Sequence, residues 1–152
     1  MKRLVYMVAA VLIAVVASCG TKDPVRDMLL ERTASLSAPG QVTYDGPNST
    51  ATVLAIYWDA TSALASGAVE FHIDVATDEF FFSGDGGTLI SKVVPVSSSP
   101  NDAIMITGLT SGQSYYVRVA AVYPGPSKSE WAYLSGADGK PVAVIPGKGL
   151  VE

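Results

Sequence analysis

The sequence predicts an all-β fold, an antiparallel sandwich carried behind an export signal and a short tether. From Pro39 onward, runs of about five to eight residues rich in Val, Ile, Thr and aromatics alternate with Gly, Pro, Asn, Asp and Ser clusters. Within those runs apolar side chains recur at every second position, the period of a strand and not of a helix. Cys19 is the only cysteine. No disulfide can stabilise the domain, so a hydrophobic core must do so.

Residues 1 to 18 have the layout of a secretory signal: Lys2 and Arg3, an apolar stretch from Leu4 to Ala17, then small residues before Cys19. The stretch is shorter than the ~20 residues a helix needs to cross a bilayer, which favours a cleaved signal over a membrane span. Val16-Ala17-Ser18-Cys19 resembles the lipobox of bacterial lipoproteins. That resemblance implies a diacylglyceryl group on the Cys19 thiol and cleavage that makes Cys19 the first mature residue. Each buried methylene contributes about 0.8 kcal/mol, and two or three chains give a stable anchor where one does not. Gly20, rather than an aspartate, follows the cysteine, which in Gram-negative lipoproteins favours the outer membrane. Lys22-Asp23 resembles the surface-export signal of Bacteroidota lipoproteins. The expected address is a bacterial envelope, with the membrane as a partner through lipid.

Residues 19 to 37 form the tether. Asp23 as N-cap, Pro24 at the first helical position and Val25, Met28 and Leu29 on one face allow a short helix from Asp23 to Arg32, with a flexible spacer as the alternative. Ser35 to Gly40 reads as linker. Residues 38 to 152 are the sandwich. Thr52 to Trp58 puts Thr52, Leu54, Ile56 and Trp58 on one face. Val69 to Val75 sets Val69, Phe71, Ile73 and Val75 against Glu70, His72 and Asp74, the clearest half-buried strand. Thr88 to Val94 reads as a further strand after Phe80-Phe81-Phe82 and a glycine-rich turn. Ala103 to Thr107 contributes Ile104 and Ile106. Tyr115 to Val122 turns Tyr115, Val117 and Val119 inward and Tyr116 and Arg118 outward. Alternation of this kind implies antiparallel sheets with one wet face each.

Pro39 before a first strand, Trp58 at the end of the second, Leu109-Thr110-Ser111-Gly112-Gln113-Ser114-Tyr115 leading into Val117-Arg118-Val119, and Ser129 to Trp131 after a Pro/Gly loop together resemble a fibronectin type III domain. The resemblance covers about residues 38 to 146 and implies an immunoglobulin-like sandwich. It implies a core containing Trp58, Phe71, Leu109 and Tyr115, with the Tyr115 hydroxyl bonded back to the backbone at a corner. Ser111 stands where proline is usual. Trp131 to Ile145 is longer than a simple last strand, and Asp138-Gly139 inside it reads as a turn, so that strand is expected to be interrupted or to form an extra hairpin.

Cleavage takes Lys2 and Arg3 from the 10 basic residues and nothing from the 14 acidic ones, leaving a net charge of −6. The remaining bases are scattered singly, which argues against nucleic acid. His72 is the only histidine and its alternation puts it on a wet face, so no Ser-His-acid arrangement is indicated. Glu70, Asp74 and Arg118 on that face are expected to form exposed cross-strand pairs contributing roughly 0.2 to 1 kcal/mol each. Asp85 lies among glycines without the spaced carboxylates of a calcium loop. Neither metal nor cofactor is expected, and no enzyme.

What remains is aromatic placement. A fibronectin-like sandwich clusters its BC, DE and FG loops at one pole, about residues 59 to 68, 96 to 102 and 123 to 130. Tyr123, Trp131 and Tyr133 lie in or beside the last of these, with Tyr123 and Pro124-Gly125-Pro126 expected to be exposed. Flat aromatic faces suit sugar rings or a protein partner. Tyr123, Trp131, Tyr133 and Phe81 are therefore the candidate binding residues. The alternative to their exposure is that they cover the core edge. The expected function is a non-enzymatic, lipid-anchored envelope module binding a glycan or protein through its loops; the alternative is a structural component acting by strand-edge contact.

Overall fold

The computed structural model describes residues 36–81, 89–96, 103–125 and 127–151. The signal, Cys19, the Asp23 to Arg32 helix, Phe82, the glycine-rich turn, most of the DE loop and Pro126 lie outside the described residues.

Nine strands and one short helix are found among those residues. They are β1 (Val42–Tyr44), β2 (Leu54–Trp58), α1 (Thr61–Ala65), β3 (Glu70–Ala76), β4 (Leu89–Pro95), β5 (Ile104–Ile106), β6 (Tyr116–Val122), β7 (Ala132–Tyr133), β8 (Ala143–Ile145) and β9 (Gly149–Val151). One sheet has the order β1-β2-β5 and the other β4-β3-β6-β7, with every pairing antiparallel. This is the three-plus-four strand order of a fibronectin type III sandwich. Among the described residues no helix is long and apolar enough to cross a membrane.

The core lies between the sheets because period-two alternation sends one apolar row inward from each strand. Val42 opposes Trp58, and Leu54 and Ile56 oppose Ile106 and Ile104 in the first sheet. Phe71, Ile73 and Val75 oppose Ala121, Val119 and Val117 in the second. Trp58 meets Phe71 edge to face across the gap, with ring centroids 5.2 Å apart. Leu109 is buried. Tyr115 is buried too, and its Oη accepts the Thr110 N–H at 2.9 Å, which fastens the corner before β6.

Two local departures have physical causes. Val69, placed on the inward row by alternation, is exposed because it stands at the very end of the ladder, where its N–H still donates to Val122 O at 2.8 Å and its carbonyl still accepts the Val96 N–H at 3.1 Å. The BC connection contains α1, which lacks a side-chain cap; Ala63 is its buried residue. Hydrogen bonds from Thr61, the first residue of this helix, hold the Asp59 carboxyl below its usual range. The last strand is interrupted and also forms an extra hairpin. After β7 the chain turns at residues 136–140, where the Gly136 N–H donates to Lys140 O, and then rejoins the sandwich edge as β8. Tyr115 and Val144 exchange two backbone hydrogen bonds of 2.9 and 2.8 Å. Gly147, at φ 72°, lets the β8–β9 hairpin approach the Thr50–Ala51 turn; a Cβ there would lie 2.9 Å from the Thr50 carbonyl carbon.

The segment read as linker from Ser35 is docked from Leu36 onward. Leu36 packs on the core and Pro39 is buried. Ser37 O accepts the Tyr123 hydroxyl at 2.6 Å, and Ser37 and Ser66 hydroxyls are 2.8 Å apart.

Candidate functional site

The outer face of the β4-β3-β6-β7 sheet carries a layer of side chains that the inner core does not explain. Alternation directs His72 and Asp74 of β3 and Arg118 and Ala120 of β6 to this side, and register sets Asp74 opposite Arg118 and His72 opposite Ala120. Tyr133 lies opposite Arg118 on the far strand. The Arg118 guanidinium donates from Nε at 3.0 Å and Nη2 at 2.8 Å to Asp74 Oδ2. Asp74 Oδ1 accepts the Ser91 hydroxyl at 2.6 Å, across from β4.

Aromatic rings close over this pair. The Arg118 guanidinium carbon lies 4.2 Å from the Phe81 ring centroid and 4.1 Å from that of Trp131, so the cation is held between two π faces. Phe81 meets Tyr133 edge to face at 6.0 Å. Beneath this layer Ala76 and Ala120 are fully buried although they point away from the core. Asp74, expected on a wet face as surface decoration, is only 4 % exposed. The correction has a simple cause: stacking removes water from the pair, and a desolvated ion pair survives only when its remaining polar atoms are also bonded.

Phe81 is the one non-glycine residue with positive φ among those described, at 56°. An L-residue with a side chain pays roughly 1 to 2 kcal/mol to adopt that conformation. Here it turns the ring back onto Arg118. Backbone strain of this kind persists where the surroundings over-determine it.

Two candidate binding residues are not where the aromatic pattern put them. Tyr123 was expected at an exposed loop; it is 4 % exposed, its ring in the core cluster and its hydroxyl bonded to Ser37 O. Burial pushes its phenol up from the usual range, against the lowering effect of the hydrogen bonds to Ser37 and Ser66. The leading segment explains this, since it covers the pole that the loop tip would otherwise open to water. Phe81 is 5 % exposed, whereas its neighbour Phe80 is 67 % exposed. Pro124 and Gly125 are exposed, and Trp131 and Tyr133 are half-buried. The structure thus brings Phe81, Trp131 and Tyr133 together on the sheet face and separates Tyr123 from them.

Lys128 and His72 complete the face and were not candidate binding residues in the sequence. The Lys128 Nζ is hydrogen-bonded to His72 Nδ1. That bond needs a lone pair on Nδ1 and leaves the proton on Nε2, 3.6 Å from Asp74 Oδ1. The His72 and Trp131 rings are 5.7 Å apart, and Lys128 Nζ is 5.9 Å from the Trp131 centroid. The signal available in sequence was the outward parity of His72 and Arg118; nothing local placed Lys128 beside them. Among the described residues no group of three His, Cys, Asp or Glu is arranged to hold a metal ion.

No family model matches the chain, and no curated protein matches it. Solved structures do. A structure described as a myokine is 19 % identical with TM-score 0.48, covering 75 % of this chain and all of that one. The third fibronectin III domain of human KIAA0343 protein is 17 % identical with TM-score 0.48, covering 76 % and 85 %. A fibronectin type III domain from human KIAA0970 protein is 15 % identical with TM-score 0.43, covering 72 % and 83 %. Likenesses this weak carry no argument about function. By its own strand order and its Tyr115 corner, the domain is an antiparallel β-sandwich of fibronectin type III type.

Proposed function

We propose that this chain is a lipid-anchored, non-enzymatic binding module of a bacterial envelope, held in the outer membrane through Cys19 and recognising a glycan or a protein beside its FG turn. The carrying observation is the Phe81–Arg118–Trp131 stack over the Asp74 ion pair. It fixes a half-buried indole on the outside of the sandwich, six residues after the exposed Gly125 of the FG turn. A ring fixed before its ligand arrives loses little entropy on binding. The lipobox-like residues supply the anchor, and Gly20 in place of aspartate supports the outer membrane.

Two measurements test this reading. Mass spectrometry of the mature amino terminus is expected to find acyl chains on Cys19, and Cys19→Ser is expected to move the protein from the membrane to the soluble fraction. An unmodified thiol overturns the anchor. The purified mature chain is expected to bind on a glycan array or to give a stoichiometric envelope partner, and failure in both overturns the binding role.

A second reading is favoured by β4, a seven-residue strand at the edge of its sheet with Val93 exposed. Such an edge can accept a strand from another envelope protein. Against it, Lys92 sits on the inward row of β4 and donates to Met105 O at 2.9 Å, and charged side chains on an edge are a usual guard against pairing.

A further inference from the structure

A one-residue slip in strand pairing sets Lys128 and Trp131 on the same side of the sheet. Val122 is opposite Lys128, while Val119 is opposite Ala132. The strand leading to β7 therefore carries one more residue than β6 over this interval, a β-bulge around Glu130. Ser129 repairs the ladder there: its hydroxyl accepts the Ala121 N–H at 2.9 Å and donates to Glu130 O at 2.8 Å. Without the extra residue, positions 128 and 131 would point to opposite faces. With it, Lys128, Trp131 and His72 converge on the outer face. Bulges recur where a side chain must be re-aimed beside a functional site.

We propose that Trp131, Lys128 and His72 form a subsite for a neutral sugar, a pyranose with equatorial hydroxyls. Its apolar C–H face stacks on the indole, and a vicinal pair of hydroxyls bonds to the Lys128 ammonium and to the His72 Nε2–H, which at 3.6 Å from Asp74 Oδ1 is outside hydrogen-bond distance of it. This deepens the glycan reading above and rests on it. The charges around the group decide the ligand's class. Arg118 is committed to Asp74, Glu70 shares the outer face two strands from Lys128, and Glu130 is exposed at the bulge. Lys128 is thus a hydrogen-bond donor among acids and not the centre of a positive field, which suits hydroxyl groups and not a polyanion. The Arg118 guanidinium supports the indole from within the protein, and the His72 tautomer is set by the Lys128 bond to Nδ1.

The chain has two tryptophans, and Trp58 is in the core, so iodide quenching of fluorescence reads Trp131. Cellohexaose or laminarihexaose, added to the mature chain, is expected to protect Trp131 from iodide. Calorimetry with the same sugar is expected to show about tenfold weaker binding for each of Lys128→Gln and His72→Gln, the loss of one hydrogen bond, at unchanged melting temperature. Lys140→Gln, on the 136–140 turn, is the control expected to bind as the parent does. Absence of protection by either sugar overturns the subsite, and so does full affinity in both variants. Array binding that survives Lys128→Gln and His72→Gln overturns the subsite alone and leaves the binding-module reading standing.

Discussion

The two sheets treat their outer faces differently. Outside the three-stranded sheet, Tyr57 and Met105 stand 43 % and 50 % exposed, and the outward residue that is buried there is the small Ala55. Outside the four-stranded sheet, Asp74, Ala76, Ala120 and Phe81 are buried beneath a stack of rings and cations. One face leaves its large outward side chains in water; the other is a second small core built from polar and aromatic groups. Strand alternation predicts the first condition for both. It fails on the second because long side chains from loops and bulges fold back over the sheet, and local parity says nothing about what covers a residue from above.

Substitutions can break this comparison at graded depth. Trp58→Ala, a large-to-small change between the sheets, is expected to cost about 3 to 5 kcal/mol in urea denaturation, enough to unfold many domains of this size. Arg118→Ala is expected to approach it, at about 3 kcal/mol or somewhat more, because it strands the Asp74 carboxylate away from water. A loss below about 1 kcal/mol, the size of an exposed pair, would show that this face is ordinary surface after all.

Phe81 sharpens the picture. Phe81→Gly and Phe81→Ala both remove the ring, but only glycine relieves the φ of 56°, so the glycine variant is expected to be the more stable by about 1 kcal/mol. Equal stabilities would mean that the positive φ stores nothing. Tyr123→Phe removes the bond to Ser37 and is expected to cost about 1 kcal/mol near neutral pH. The sign of its pH dependence follows from burial. The folded phenol ionises later than the unfolded one, so its contribution is full below about pH 10 and is lost as pH rises through the raised folded value. The gap between parent and Tyr123→Phe is expected to close in alkaline denaturation series. The smallest effect belongs to the bare face: Tyr57→Ala is expected to stay within about 0.5 kcal/mol of the parent.

Much of the site was half-legible. Asp74, His72 and Arg118 could be assigned to one outward face, and their possible pairing followed from adjacent strands. Their burial could not, since it depends on Phe81 arriving from the β3–β4 connection and Trp131 from beyond the FG turn. Tyr123 misled because a tyrosine next to Pro-Gly-Pro reads as a loop tip, whereas its ring is claimed by a segment 86 residues earlier in the chain. The bulge at Glu130 was invisible for the same kind of reason. An extra residue in a strand is defined only against its partner.

By itself the sequence determined the fold class, the inward rows of the strands except at their starts, where Thr52 and Val69 are exposed, the corner at Tyr115 and the turn at Asp138-Gly139. All of these are set by period-two alternation or by residues close together in the chain, where the physics is local. Only the tertiary structure decided which outward residues are dry, which aromatic is exposed and which side chains converge. Those outcomes depend on strand register and on covering segments distant in sequence, and a one-residue change in register reverses the face of every side chain beyond it.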